Sequence, residues 1–471
     1  MPPIKFGTDG WRGIIDKDFS EVNVKLATRA IADYFTNSNK KTIVIGYDGR
    51  RKASDFARIS AEIMANNGIK VYLVDKPCPT PAAGWSIVAK HADGGIMFTA
   101  SHNPPEFLGL KFMTDEAMVA PQEVTDEFMM RQKNLENIKN EDIKVKNEIE
   151  IFDPKPAYLE KIGELTEIQK IKNAGLRVLV NPMSGSGAGY LSNLLSSGKI
   201  QIETINDEID PNFGNITPEP IVEKNVTDAL AKMKKGNFDV CLSCDGDADR
   251  IGLIDERGRM LSSLETFLLQ AYYLVVLKKQ RGPIVETLSN TVMVKNLCQK
   301  YGLENIETKV GFKYVGEKMK ESEAILGGEE SGGSTIKGYI LIRDAQLMNL
   351  VMLDLMIEMK KPLSKILAIA KDEAGGGFEF KREDVHFDYD KYEKIRKEKA
   401  QELIKNPPKE VLGEKVVKVR TDDGLKLYLE DGSWLLIRFS GTEPVLRVYA
   451  EAKTMNKVDE FIQYVKDLFK V

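Results

Sequence analysis

Thr42-Ile43-Val44-Ile45-Gly46, Tyr47-Asp48-Gly49-Arg50-Arg51, an amphipathic run over 54–66, and Lys70-Val71-Tyr72-Leu73-Val74 follow one another near the start of the chain. A short β-branched run, a glycine-bearing polar loop, a helical period and a second apolar run make a βαβ unit, which dictates a largely parallel sheet. After the prolines at Pro77, Pro79 and Pro81, a second helical run leads to Gly95-Ile96-Met97-Phe98, the end of a buried strand. That strand opens into Thr99-Ala100-Ser101-His102-Asn103-Pro104, where Asn103-Pro104 turns the chain sharply. Open α/β sheets bind ligands beyond the carboxyl ends of their strands, so the Ser101 hydroxyl is expected at the mouth of the sheet. By itself the hexapeptide is also an ordinary set of turn and helix-cap residues.

The same order recurs twice. Leu176-Arg-Val-Leu-Val180, Met183-Ser-Gly-Ser-Gly187, a helix near 189–195 and a strand over 200–205 precede Phe238-Asp-Val-Cys-Leu-Ser243, which opens into Asp245-Gly246-Asp247-Ala248-Asp249-Arg250. A third round runs from Gly282-Pro-Ile-Val-Glu286 through a helix over 291–300 and a strand over 306–309. It ends with Ala324-Ile-Leu-Gly-Gly328 opening into Glu329-Glu330-Ser331-Gly332-Gly333. Internal repetition of this kind puts one polar loop per unit at an equivalent strand end, where three loops can face one another. A charged, helix-compatible stretch over 131–150, Asp153-Pro154 and Gly375-Gly376-Gly377 serve as connectors. Beyond them a charged helix is expected over 389–405, then strands joined at Asp422-Asp-Gly424 and Glu430-Asp-Gly432, and a closing amphipathic helix over 457–469. The expected fold is therefore α/β: three related domains with mixed, largely parallel sheets, plus a C-terminal α+β domain with an antiparallel sheet, around one cleft. The boundaries fall at 1–152, 153–257, 258–373 and 374–471.

A chain of 471 residues is too long for one ordinary core. Apolar residues at 42% and charged residues at 29% mark a soluble globular protein. A net charge of −4 argues against nucleic acid, so an anionic ligand must be met by locally placed Arg and Lys. Four cysteines cannot make a disulfide framework in a chain this long, which points to a reducing cytoplasm. Cys241-Leu-Ser-Cys244 has the spacing of half a zinc site, but no second pair exists and the segment reads as a buried strand end. The opening residues lack a signal-peptide core, and the longest apolar run, over 267–277, is interrupted by Gln270 and too short for a bilayer, so no membrane partner is expected.

The loops carry the chemistry. Asp245, Asp247 and Asp249 alternate, so in an extended loop their carboxylates converge on one side and repel unless a divalent cation lies between them. Oxygen-only ligands favour Mg²⁺, whose open positions take phosphate oxygens. An EF-hand is the rival, since Glu256 is twelfth from Asp245; it fails because Arg250 stands where the turn needs glycine and apolar strands flank the loop. Arg438-Phe-Ser-Gly-Thr-Glu-Pro444, with Arg447 on the returning strand, offers a planar fork, hydroxyls and backbone donors for a phosphate dianion. The 328–333 loop offers carboxylate and hydroxyl groups suited to sugar hydroxyls, although alone it is a polar turn. Phe6-Gly-Thr-Asp-Gly-Trp-Arg-Gly13 is a close-packed loop in which Trp11 either anchors the N-terminus or serves the site.

These motifs, in this order and over essentially the whole chain, closely resemble the α-D-phosphohexomutases. The resemblance implies that Ser101 carries a phosphoryl group and that Asp245, Asp247 and Asp249, with the substituted Ser101, hold one Mg²⁺ per active site. It implies that Glu329 and Ser331 bind sugar hydroxyls and that Arg438, Ser440, Gly441, Thr442 and Arg447 grip the phosphate that is not reacting. Arg250 helps neutralise the charge in transfer; Arg12, His102 and Lys111 are the candidates for proton transfer, and Lys313, in Val310-Gly-Phe-Lys313, for a further phosphate or sugar contact. The implied reaction passes a phosphoryl group between Ser101 and either end of a glucose or mannose phosphate. A hexose 1,6-bisphosphate is both intermediate and activator, and it must turn round while water is excluded. A small sugar phosphate is the implied partner, and a monomer or weak homodimer the implied assembly. Gly333 departs from the pattern, since some bacterial members carry His there; the double Glu329-Glu330 looks more like the glucose-type enzymes. Phosphoglucosamine mutase is the alternative activity. A phosphatase that hydrolyses its own phosphoserine is a second enzyme reading. A silent sugar-phosphate binder is a third, which would be expected to have lost Ser101 or one of the aspartates.

Overall fold

In the computed structural model, which describes residues 4–7, 9–135, 147–440 and 444–469, the βαβ reading is realised directly. Thr42–Tyr47 and Lys70–Val74 are parallel neighbours joined by the helix Ala53–Asn66. The first sheet runs Trp11–Ile14, Phe107–Thr114, Gly94–Phe98, Thr42–Tyr47, Lys70–Val74, Ile149–Phe152, antiparallel at its first two junctions and parallel at the rest. Its central strands are buried on both faces, which is why they read as unbroken apolar runs.

The second and third sheets have four strands each. One orders Ile251–Asp255, Val240–Cys244, Arg177–Asn181, Gln201–Thr204; the other orders Asn305–Thr308, Ile284–Thr287, Leu326–Gly328, Ser334–Ile336. Each pairs one strand antiparallel at an edge, Ile251–Asp255 in the second and Ser334–Ile336 in the third, and is otherwise parallel. The fourth sheet, Glu379–His386, Val445–Ala452, Trp434–Phe439, Leu425–Leu429, Glu414–Arg420, Glu410–Val411, is antiparallel throughout. Its hairpins turn where the Asp-Gly signals stand, and Met455–Phe469 packs across it.

One apolar core runs from Ile4 to Phe378 through the first three sheets, and a separate core fills the fourth. A small cluster of Leu288, Trp434, Leu436 and Tyr449 lies where the fourth sheet meets the third.

Two local readings change, one left open is settled, and one is borne out. Ile149 and Glu150 belong to a strand, Ile149–Phe152, rather than to a helix-compatible connector; Ile151 is 67% exposed, so this edge strand lacks the apolar alternation that would reveal it. The charged helix expected over 389–405 is divided by a wider turn over 396–400 into Tyr389–Ile395 and Gln401–Lys405. Trp11 is an anchor, buried and stacked on Phe19 with ring centroids 4.3 Å apart. Cys241 and Cys244 are free thiols buried at a strand.

Candidate active site

Ser101 sits at the end of Gly94–Phe98 with φ of +52°, its N–H donating to Thr99 Oγ1 at 2.8 Å. Its carbonyl accepts from Arg50 Nη2 at 2.6 Å, and the same guanidinium reaches the carbonyls of Asn103, Pro104 and Phe107. Asp48 balances that buried charge through Nε at 3.2 Å, and the Phe213 ring lies 4.7 Å from the guanidinium carbon. The serine loop is thus clamped from the neighbouring strand end, and its hydroxyl is fixed.

That hydroxyl donates to Asp245 Oδ2 at 2.6 Å, across 144 residues of sequence. The aspartates occupy the tight turn of a hairpin, Val240–Cys244 with Ile251–Asp255. Asp245 Oδ1 accepts the backbone N–H groups of Asp249 and Arg250, which folds the loop back on itself. Gly246 is needed there, because a β-carbon would lie 2.6 Å from the Ser101 carbonyl oxygen. Flanking strands remove the EF-hand, and Glu256 is spent on the backbone N–H and hydroxyl of Ser364.

One ligand atom from each of Asp245, Asp247 and Asp249 lies within 4.8 Å of the others. Lys111 Nζ takes Oδ2 of Asp247 and of Asp249, both at 2.9 Å, and Thr80 Oγ1 donates to Asp247 Oδ2 at 2.6 Å. The other oxygens, Asp247 Oδ1 and Asp249 Oδ1, are buried and accept no hydrogen bond among the described residues. Burial, then repulsion from Asp247 and Asp249, pushes the Asp245 carboxyl well above its usual range. Two orphaned carboxylate oxygens beside an over-raised third carboxyl are what a hard divalent cation would satisfy, so the donor set fits Mg²⁺.

Cations ring this centre. Arg12 bridges Asn103 Oδ1 at 2.7 Å and Asp9 Oδ2 at 2.8 Å. Burial would lower Lys111, but Asp247, Asp249 and Asp9 outweigh it and hold the ammonium above its usual value. His102 is depressed well below the usual imidazole value, by burial first and then by Arg250, Arg12, Arg343 and Lys111, and its Nδ1 has no hydrogen-bond partner among the described residues. Arg250 stands 3.7 Å from Glu219 and 3.9 Å from Asp249.

Glu329 joins this cluster through Arg343 Nη1 at 2.9 Å, with Ser331 Oγ 3.5 Å from the same carboxylate. Next in sequence, the Glu330 carboxylate accepts from Thr287 and Ser289, and its charge reaches Arg382 and Arg438 of the fourth sheet. Consecutive glutamates thereby span from the serine and aspartates to the C-terminal arginines. Arg438 and Arg447 are directly opposed on paired strands; Arg438 bonds Asp423 at 2.9 Å, and Arg447 stands 3.8 Å from Asp384. Ser440 follows, its N–H on the Val445 carbonyl, while Gly441 and Thr442 lie outside the described residues. Lys313 donates from its ammonium to Gln122 Oε1 at 2.6 Å.

Asp9, Arg50, Thr80 and Arg343 belong to the cluster without having been singled out by motif. Arg50 and Asp9 sit in loops whose glycines mark them, and Arg50 follows a strand end equivalent to that of Ser101. Arg343 has no local signal at all.

Three related α/β units that meet at one serine–carboxylate–cation junction, with an antiparallel unit docked against the third, define a multidomain α/β protein. Descriptions of phosphoglucomutase/phosphomannomutase α/β/α domains I, II and III and C-terminal domain match residues 3–139, 156–258, 265–372 and 391–468. A probable phosphoglucosamine mutase of Methanosphaera stadtmanae is 31% identical, covering 97% of this chain and 96% of its own. A phosphoglucomutase/phosphomannomutase of Thermococcus kodakarensis is 28% identical over the same shares. The crystal structure of a putative phosphomannomutase from Thermus thermophilus superposes with a TM-score of 0.87 at 27% identity, covering 100% of this chain and 99% of that one. The chain belongs to the phosphoglucomutase/phosphomannomutase family of α-D-phosphohexomutases and is an isomerase of that type. Among the described residues, no helix is long and apolar enough to cross a membrane.

Proposed function

We propose that this enzyme interconverts the 1- and 6-phosphates of glucose and mannose through a phosphoserine at Ser101 and a hexose 1,6-bisphosphate, acting in the cytoplasm on a freely diffusing sugar phosphate. The observation that carries the reading is the Ser101 hydroxyl held 2.6 Å from Asp245, beside two aspartates that each keep one oxygen unspent. Bound by Asp245, Asp247, Asp249 and the substituted Ser101, Mg²⁺ supplies charge neutralisation on the transferring oxygens.

The chain's own residues do the rest. Arg50 fixes the backbone under Ser101, and with it the Oγ that would carry the phosphoryl group. Lys111, Arg12 and Arg250 place positive charge around the site of transfer. His102, whose buried Nδ1 has no hydrogen-bond partner among the described residues, stands with Arg12 and Lys111 as a candidate for moving the proton of the sugar hydroxyl. Glu329 and Ser331 accept sugar hydroxyls, and Arg438, Ser440, Gly441, Thr442 and Arg447 hold the distal phosphate. A cradle on a separate sheet can receive either end of the bisphosphate, as the turning intermediate requires.

The test is a coupled assay of 1-to-6 conversion on glucose, mannose and glucosamine 1-phosphates with Mg²⁺ and trace bisphosphate. Ser101→Ala is expected to lose turnover with an unchanged circular dichroism spectrum; near-normal activity would overturn the phosphoserine assignment. Phosphoglucosamine mutase is the second reading, favoured by the Methanosphaera relative's name, and turnover confined to glucosamine 1-phosphate would establish it.

A further inference from the structure

Arg343 lies in the segment between Ser334–Ile336 and the helix Ala345–Met359. The next residue anchors it: Asp344 caps that helix by accepting from the Leu347 N–H and also receives the Tyr158 hydroxyl, both through Oδ1. Ala345 N–H meanwhile donates to the carbonyl of Ala248, inside the aspartate loop. The guanidinium has little freedom, with 6% of its side chain exposed and the Phe312 ring centroid 5.6 Å from its central carbon.

Its donors go to three carboxylates from three loops. Nη2 meets Asp9 Oδ2 at 2.8 Å and Asp249 Oδ2 at 2.7 Å, and Nη1 meets Glu329 Oε2 at 2.9 Å. Because Arg343 and Lys111 together take Oδ2 of Asp249, Oδ1 is the oxygen left without a partner among the described residues, beside the other aspartates. The planar fork therefore shares with Lys111 the hold on Oδ2 that leaves Oδ1 of Asp249 presented, while its other arm alone sets the place of Glu329. Gly333 makes room for it: a β-carbon there would fall 2.0 Å from Arg343 Cδ and 2.6 Å from Cγ.

We propose that Arg343 is a positioning residue that couples hexose recognition to metal binding, holding Glu329 and Asp249 as one unit so that displacement of either is felt by the other. This inference rests on the phosphohexomutase reading of the two carboxylates. Coupling of this kind is reciprocal, so it can be read from the metal side with no turnover at all.

The experiment uses the full-length protein and Mn²⁺ as the probe, with its dissociation constant measured by paramagnetic resonance of the free ion. Arg343→Gln is expected to weaken Mn²⁺ by about tenfold, the scale at which groups behind metal ligands act. Glu329→Gln, which touches no aspartate of the loop, is expected to shift the Mn²⁺ constant about threefold in the wild-type background and not at all in the Arg343→Gln background. Arg343→Lys, with one point of attachment, is expected to recover either Mn²⁺ affinity or the hexose phosphate KM, but not both. Where Arg343→Gln does not give the native circular dichroism spectrum, Gly333→Ala, which crowds the same stem, takes its place in the cycle. An Mn²⁺ constant unmoved by Glu329→Gln, or moved equally in both backgrounds, overturns the proposal. Wild-type turnover is measured alongside: its absence on every hexose phosphate sinks the functional reading, whereas normal turnover with a flat cycle sinks only the role of Arg343.

Discussion

Ser101 holds a φ of +52°, a region that a β-carbon disfavours by about 1–3 kcal/mol, so something must over-determine it. Arg50 does so by meeting four carbonyls of the loop with one guanidinium while Asp48 offsets its charge. Arg50→Met leaves the buried Asp48 without its cation and strips those carbonyls, so a loss of about 3–5 kcal/mol is expected in urea unfolding. Because the loop carries the proposed phosphoserine, kcat is expected to fall at least about a hundredfold, beyond what destabilisation alone explains for the folded fraction. A variant that unfolds early but turns over normally would refute the clamp. The cysteines behave oppositely: burial pushes the thiols of Cys78, Cys241 and Cys298 up to about 12, and Cys244 is buried with them. None of the four is expected to react with a disulfide reagent in the native protein at about pH 8, and all four on denaturation. Any fast native thiol would show that burial is incomplete.

Elements were legible where a local period reports burial. The strands ending before Ser101, Asp245 and Glu329 are apolar on both faces, so their loops stood out, and Asp-Gly pairs marked the C-terminal hairpins. Ile149–Phe152 escaped because an exposed edge strand needs no apolar face, and Arg343 because its partner Asp9 is 334 residues away and ion pairs carry no period. The same is true of the seam between the third and fourth sheets. There Lys426, buried on Leu425–Leu429, bonds Glu307 at 2.7 Å, while Glu451 accepts from Thr291, Val292 N–H and Trp434 at the start of the helix Val292–Lys300. Burial would raise Glu307, but Lys426 and the Tyr428 hydroxyl outweigh it and hold the carboxyl below its ordinary value. The stability this lends is present above the unfolded carboxylate value and is lost as pH falls through the lowered one. Lys426→Met removes the largest opposing charge, leaves only the Tyr428 hydroxyl and Arg420, 3.7 Å away, against the burial of Glu307, and is expected to cost about 3 kcal/mol near neutrality. With Glu307 then raised, its protonation favours the folded state, so the gap in melting temperature between variant and wild type is expected to narrow from about pH 7 to pH 4. A gap that is constant or widens would reject this account of the seam.

At the scale of the whole molecule, the separation of the fourth sheet's core from the large core shared by the first three sheets decides how the chain comes apart. The first three sheets share one core from Ile4 to Phe378 and are cross-linked at the site by Ser101 with Asp245, Thr80 with Asp247 and Arg343 with Asp9. The fourth sheet has its own core from Val411 to Phe469 and meets the rest through the small Leu288–Trp434 cluster and the polar seam, after a glycine-rich link at 375–377. Two calorimetric transitions are therefore expected, with proteolysis near that link releasing a C-terminal fragment as the smaller unit melts. Mg²⁺ gives the arrangement a signature. The aspartates lie entirely within the larger unit, so Mg²⁺ at about 100 times its dissociation constant is expected to stabilise that unit by about 2.7 kcal/mol and leave the smaller transition in place. A hexose bisphosphate, which in the proposed function bridges the serine and the arginines of the fourth sheet, is expected to raise both and draw them together. Lys426→Met moves only the smaller transition, since its partners lie on the seam. A single transition in the free protein, or equal displacement of both by Mg²⁺ alone, would mean that the four units melt as one and that the arginine cradle is not an independently docked part.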